Sequence, residues 1–320
     1  MRVALAGVGH WHAGMHLDAI RHAGAEPAGV WDPEPGVASH FAAANGCAAM
    51  GLGAMLAARP DLVVVMGHPS DVPDVARLCL ADHLPMMLEK PAAPNSAILA
   101  EIAPGAADFV AVPLANRCSP LWTEIARLQA AGRFGRLAHA QFRIVNGPPE
   151  RYRVDGVPWL LDPAVGGGGA LRNLGLHAVD AALMLFEAEA PELSGAAVRH
   201  TAHGEAVEDY AVALLSRPGG PVVTVEAGYT YASMAPGGDF EWRVAASGAT
   251  LIDRGDTCSV TTLDDGVCRM LEPLPAAHRY RAFMADTLDR LRRSAPPLVG
   301  FADYLKAMRM VDRIYREAGR

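Results

Sequence analysis

The sequence predicts an α/β protein of two parts: a doubly wound parallel sheet over residues 1–115, then an α/β domain with a large, mostly antiparallel open sheet over 116–320. Three observations predict it. Short apolar runs alternate with helix-length segments through the first part, a rhythm that implies parallel strands joined by right-handed crossovers. A glycine-rich turn follows the first apolar run directly. Beyond residue 116 the rhythm changes to strand, turn, strand, with "RPGGP" and "LDDG" as punctuation.

In order, "RVALAG" reads as a strand, "HAGMHLDAIRHAG" as a helix and "AEPAGVWD" as a second strand. "PGVASHFAAANG" is a helix opened by proline and closed by Gly46. "DLVVVMG" is apolar on both faces, as a buried parallel strand must be. "VPDVARLCLADH" is a helix, "LPMMLEK" a strand, "NSAILAEIAPGA" a helix and "DFVAVPLA" a strand. In the second part "SPLWTEIARLQAAGRFG" begins with a Ser-Pro helix start, and "LAHAQFRIV" alternates as a strand does. Strands fill most of the chain from 195, and helices around 279–293 and 301–318 complete it.

At 320 residues the chain is long for one core, which favours two domains. It is 51% hydrophobic and 20% charged, a composition of soluble globular proteins. The net charge of −7 argues against a broad nucleic-acid surface. The scattered cysteines Cys47, Cys79, Cys118, Cys258 and Cys268 include no CxxC pair, which suits a reducing compartment. Cys258 and Cys268 could meet across a hairpin. The first residues run straight into a strand without the pattern of a secretory leader, and no window approaches the ~20 apolar residues of a membrane span. A cytoplasmic location is expected.

"VALAGVGHWHAG" places Gly7, Val8, Gly9, His10, Trp11 and His12 between a strand and a helix. This is most of the dinucleotide fingerprint of a Rossmann domain: one glycine for the turn, a second to admit the pyrophosphate to the helix N-terminus. His12 replaces the third glycine, and Gly14 could supply the lost close approach. Asp32 ends the second strand about 20 residues on, where an acid accepts hydrogen bonds from the adenosine ribose; it is also the type of residue a "WDPEP" turn would hold. Asp32 and Glu34 would repel a 2′-phosphate, so NAD is expected over NADP. His12 and His16 share a helix face, but with no carboxylate or cysteine completing the set, no metal is expected.

"LEKPAAP" puts Glu89 and Lys90 at the end of a parallel strand, where ligands gather in such sheets. "GGGGALRNLGLH" is the second unusual stretch. Four glycines sacrifice backbone entropy unless something must approach closely, and on a helix Asn173 and His177 share one face.

Together, "GVGHWH", "WDPEP", "LEKP", "GGGGALRNLGLHAVD" and "GRFGRLAHAQFR" resemble the Gfo/Idh/MocA family, NAD(P)-dependent dehydrogenases and reductases. The resemblance covers nearly the whole chain. It implies that Lys90 and His177 are catalytic, that Asn173 stands where many members carry aspartate, and that Asp180 is the acid of an HxxD element. It implies that Gly67, His68 and Pro69 touch the cofactor beside Glu89 and Lys90, and that Asn116 and Arg117 line a substrate pocket. Trp159 is a candidate rim residue or a packing residue. Arg172 could bind a substrate anion or form an ion pair. His177 would remove a hydroxyl proton while Lys90 holds the oxygen. A sugar, cyclitol or related alcohol is the expected small-molecule substrate, with a homodimer or homotetramer as the assembly. Two alternatives stand beside a dehydrogenase: a non-catalytic dinucleotide- or sugar-binding regulator, and an enzyme using bound NAD in a hidden redox cycle.

Overall fold

The computed structural model describes residues 1–186 and 190–319. It divides into two compact units, the first made of Met1–Pro113, Tyr152–Gly167 and Tyr280–Lys306, the second of Leu114–Arg151, Gly168–Arg279 and Ala307–Arg320. The sequence assigns 152–167 and 280–306 to its second part, whereas contacts group them with the first. The reason is long-range pairing: Val112 N–H donates to Val299 at 3.0 Å and Ala111 bridges Gly300, so the late segment joins the first sheet. Local periodicity carries no trace of such a pairing.

The first unit runs β1 (Arg2–Ala6), α1 (Ala13–His22), β2 (Glu26–Trp31), α2 (Pro35–Asn45), α3 (Leu52–Ala57), β3 (Leu62–Val65), α4 (Val72–Ala81), β4 (Met86–Leu88), α5 (Ser96–Ala100) and β5 (Val110–Ala111). The strands form one parallel sheet in the order β2-β1-β3-β4-β5. Every residue of β3 is fully buried, as expected for a strand covered on both faces. The chain order reverses between β1 and β3, the switch point at which open α/β sheets bind ligands. α2 starts on Pro35 and stops at left-handed Gly46. α3, only six residues long and holding Gly53, has no counterpart in the sequence reading. α5 is shorter than its segment suggests: Ala103 adopts φ 47° and Pro104 follows.

The remaining elements are α6 (Pro120–Ala130), β6 (Leu137–Asn146), α7 (Glu150–Val154), α8 (Pro163–Gly166), α9 (Leu176–Met184), β7 (Glu192–Arg199), β8 (Tyr210–Ser216), β9 (Val222–Gly228), β10 (Gly238–Ala246), β11 (Ala249–Asp253), β12 (Cys258–Thr262), β13 (Cys268–Leu271), α10 (Ala276–Arg292) and α11 (Phe301–Glu317). The second unit's sheet has the order β13-β12-β11-β10-β6-β9-β8-β7 and is antiparallel except for the β6–β9 pair. One face is core, with Phe142, Val225, Trp242 and Val244 buried, α9 packing on β6 and β9 and Trp122 of α6 against Trp242. The other carries His139, Gln141, Thr224 and Glu226, the alternation of a half-covered sheet. Cys258 lies opposite Leu271 and Cys268 opposite Thr261, so the two cysteines do not face each other, and all five are reduced. No helix among the described residues is long and apolar enough to cross a membrane.

Trp242 anchors this core, with ring centroids 5.3 Å from Phe142, 5.3 Å from Phe240 and 5.9 Å from Trp122. Its indole N–H is buried without a hydrogen-bond partner among the described residues. Trp242→Ala is therefore expected to cost about 3–5 kcal/mol. Trp242→Phe, which also removes the unsatisfied donor, should cost far less. Urea unfolding midpoints of the two variants check the difference.

Candidate dinucleotide site and the His177 helix

β1 ends in a turn that only glycine can make. Gly7 sits at φ 90°, donates its N–H to Trp31 at 2.7 Å, and a Cβ there would stand 1.8 Å from the Met66 carbonyl oxygen. Gly9 donates its N–H to Asp32 Oδ2 at 2.7 Å, and the other Asp32 oxygen accepts from Glu34 N–H at 3.1 Å. Asp32 thus holds the turn from the end of β2, and each oxygen keeps a second lone pair for a hydroxyl. Val8 is buried behind the turn. Gly14 has nothing within 4 Å of its missing Cβ, so it does not replace the third glycine as expected.

Gly9, His10, Asp32, Gly67, His68 and Trp159 line a cleft of 350 Å³ over this turn. Glu34 and Asp71 are on its wall, and neither Arg nor Lys is. A glycine cradle before α1, an acid beyond it and an acidic rim fit the pyrophosphate and unphosphorylated ribose of NAD. Trp159 lines this cleft, 5.4 Å from His68 and 5.7 Å from Trp11 by ring centroids. His68 also bonds Ser70 Oγ at 2.6 Å, and Pro69 beside it is buried.

At the end of β4, Glu89 and Lys90 are 1% and 3% exposed. Glu89 Oε2 lies 2.6 Å from His16 Nε2 and 3.4 Å from His12 Nδ1, while Oε1 accepts the Lys90 N–H at 2.8 Å. Tyr280 Oη is 3.2 Å from the same His12 nitrogen, and Trp11 presents its ring 5.7 Å from Lys90 Nζ. The carboxylate that the sequence appeared to lack beside His12 and His16 is therefore Glu89, 73 residues from His16. The set is a hydrogen-bonded one: no described group of His, Cys, Asp and Glu is arranged to hold a metal ion.

Burial alone would raise the Glu89 carboxyl, but His12 and His16 override it and hold it well below the usual carboxylate range. Burial lowers His12, with Glu89 restoring part of the shift. Burial and then His12 push His10 well below its ordinary value. Burial likewise lowers Lys90 against the pull of Glu89.

In the second unit the close approaches that demand glycine can be named. A Cβ on Gly168 would meet the Tyr315 hydroxyl at 2.1 Å, and one on Gly169 the Glu208 carbonyl at 2.1 Å. Gly167, in the first unit, would meet Pro94 O at 1.8 Å. Glu208 is fully buried and accepts from Gly169 N–H at 2.8 Å, Leu171 N–H at 2.9 Å and the Tyr315 hydroxyl at 2.7 Å. It thereby satisfies N–H groups at the start of the helical segment. That segment opens with a π-turn, Leu171–Gly175, before α9. The i→i+5 bonding of a π-turn widens the helix, so residues four apart no longer stack as in an α-helix.

His177 lies half-buried in the first turn of α9. Asn173, 2% exposed, donates its amide to the Tyr229 hydroxyl at 3.1 Å. Arg172 is 3% exposed, ion-paired with Asp312 at 2.6 Å and lying 5.2 Å from the Tyr315 ring. It forms the ion pair that the sequence left open. Arg117 forks onto Asp180 at 2.9 and 2.6 Å, and Asn116 Oδ1 accepts from Arg279 at 2.9 Å. Both side chains are engaged within their own unit. Glu208, Tyr229, Asp312 and Tyr315 went unrecognised, because no local motif marks residues that act through distant contacts.

The parallel sheet, its switch point and the acid-held glycine turn define an NAD-binding oxidoreductase domain. One family model, described as the oxidoreductase family with an NAD-binding Rossmann fold, matches residues 1–107. A second, the GFO/IDH/MocA C-terminal domain, matches 122–252. The chain belongs to the GFO/IDH/MocA family of oxidoreductases. A search of curated proteins returned no match. Among solved structures, an oxidoreductase from Agrobacterium radiobacter in complex with NAD+, L-tartaric acid and magnesium is 18% identical with a TM-score of 0.83, covering 100% of this chain and 96% of its own. The WlbA dehydrogenase of Bordetella pertussis, in complex with NADH and UDP-GlcNAcA, is 21% identical with a TM-score of 0.78 over 99% and 95%. An inositol dehydrogenase homolog from Azotobacter vinelandii, complexed with NAD+, is 17% identical with a TM-score of 0.83 over 99% and 95%.

The buried cluster sets an acid limit on stability. His10 and His12, lowered in the folded state, bind fewer protons than in the unfolded chain below pH about 6.5, so stability falls as pH drops through that value. Glu89, also lowered, adds a further loss below pH about 4.3. Thermal midpoints should decline from about pH 6.5 downward, and His10→Phe should make the fall between about pH 6.5 and 5 shallower.

Proposed function

We propose that the protein is an NAD-dependent oxidoreductase acting on a sugar, a cyclitol or a related secondary alcohol or ketone. The observation that carries this reading is the Gly7–Gly9–Asp32 turn at the switch point, with Lys90 buried at the end of β4 in the same sheet. Bound NAD supplies two-electron oxidation or reduction at the substrate carbon. Gly7, Gly9 and His10 would hold its pyrophosphate, Asp32 its adenosine ribose, and Gly67, His68 and Pro69 the region beyond. His177 takes the hydroxyl proton, or returns it in reduction, since an imidazole titrates near working pH. Lys90 would stabilise negative charge developing on a substrate oxygen. Burial favours shedding its proton, so less energy is needed for it to act as a proton donor.

The carbohydrate-like substrate is supported by the solved neighbours, which include an inositol dehydrogenase homolog and a dehydrogenase holding a UDP-sugar acid. The open face of the eight-stranded sheet is the surface for a homodimer or homotetramer, and the cytoplasm is the working compartment. A second reading, a dinucleotide- or sugar-binding regulator, is favoured by one feature: Asn173 brings an amide, tied to Tyr229, where the resemblance leads to a carboxylate.

Purified protein with NAD and a panel of polyols, inositols and sugar acids should generate NADH, with NADP at least about tenfold weaker. His177→Ala should reduce the rate about 100-fold or more. Asn173→Asp reports whether the amide limits proton transfer, by a rise in kcat. Calorimetric binding of a polyol with no NADH formed would favour the regulator.

A further inference from the structure

We infer that the His10 side chain is a binding group for the dinucleotide, donating its Nε2–H to an oxygen of the diphosphate. This rests on the NAD reading above and adds a side-chain contact to it. His10 Nδ1 accepts the His12 N–H at 3.1 Å. A neutral imidazole that accepts at one nitrogen carries its proton on the other, so Nε2 is a donor. Nε2 is buried and has no hydrogen-bond partner among the described residues, while the residue is 4% exposed. A buried donor left unmade is a defect that native structures rarely keep without a reason.

The ring's position supplies the acceptor. His10 lines the cleft with Gly9 and Asp32 and comes just before the ten-residue α1, whose first turn has no acidic residue. The N-terminus of such a helix favours an anion, and a diphosphate offers the anionic oxygen that Nε2–H lacks. The ring is held by a stack on Trp11 (3.8 Å, 25°) and lies edge-on to His12, which orients it before any ligand arrives. Trp159, 6.4 Å away, is the neighbour that yields to uncover Nε2: it is half-buried, and residues 153–156 and Pro158 beside it are exposed.

The test is calorimetric titration of wild type, His10→Phe and His10→Gln with NAD, ADP-ribose and adenosine. His10→Phe keeps the stack and loses the donor, so it should weaken NAD and ADP-ribose about tenfold each and leave adenosine unchanged. His10→Gln, which restores an amide N–H at similar reach, should recover much of the loss. Unchanged ADP-ribose affinity in His10→Phe, or an equal loss for adenosine, overturns the inference. Wild type that binds neither NAD nor ADP-ribose overturns the dinucleotide reading itself. Ligand-induced tryptophan emission should largely vanish in Trp159→Phe, and a full signal there overturns its role as the cover.

Discussion

Backbone meeting backbone with no side chain between is the constraint on which both functional regions rest. Gly7 lets the end of β1 pass against the Met66 carbonyl, and the turn it makes brings Gly9 onto Asp32. Gly168 and Gly169 do the same for Tyr315 and Glu208 at the start of the His177 segment. At each place a single methyl group would have to displace main chain or a buried hydroxyl. Positive φ at Gly7, Gly167 and Gly168 adds a second reason for the residue type.

Each unit then organises its polar groups around a buried carboxylate. Glu89 gathers His16, His12 and the Lys90 N–H, while Glu208 gathers Gly169, Leu171 and Tyr315. A buried acid is tolerated only when donors saturate it, and removing one donor leaves the desolvation cost uncompensated. Glu89 thereby holds the backbone at Lys90, and Glu208 the start of the helical segment that carries His177.

Sequence reasoning reached the parts that local pattern controls. The apolar run of Leu62–Val65, the glycines at 7 and 9 and the acid at 32 obey short-range rules, and each stands where those rules put it. Partnerships were hidden. The spacing of Arg172 left anion binding and an ion pair both open, and neither it nor that of Arg117 reveals that Asp312 or Asp180 awaits the guanidinium. Glu89 was recognised as part of a motif, yet its meeting with His12 and His16 depends on the crossover between α1 and β4. The π-turn at Leu171–Gly175 was likewise invisible, since composition scarcely separates it from an α-helical turn.

The ties at the start of the His177 segment also bear on how this unit acquires its shape. Glu208 and Tyr315 are 107 residues apart, and Arg172 and Asp312 are 140 apart. Loops of that length close at an entropic cost that grows with the logarithm of their span, and distant pairings slow the search for the native state. The segment that bears the imidazole thus gains its final geometry only after the sheet and α11 have come together. Its order is a product of assembly, not a property of the helix itself.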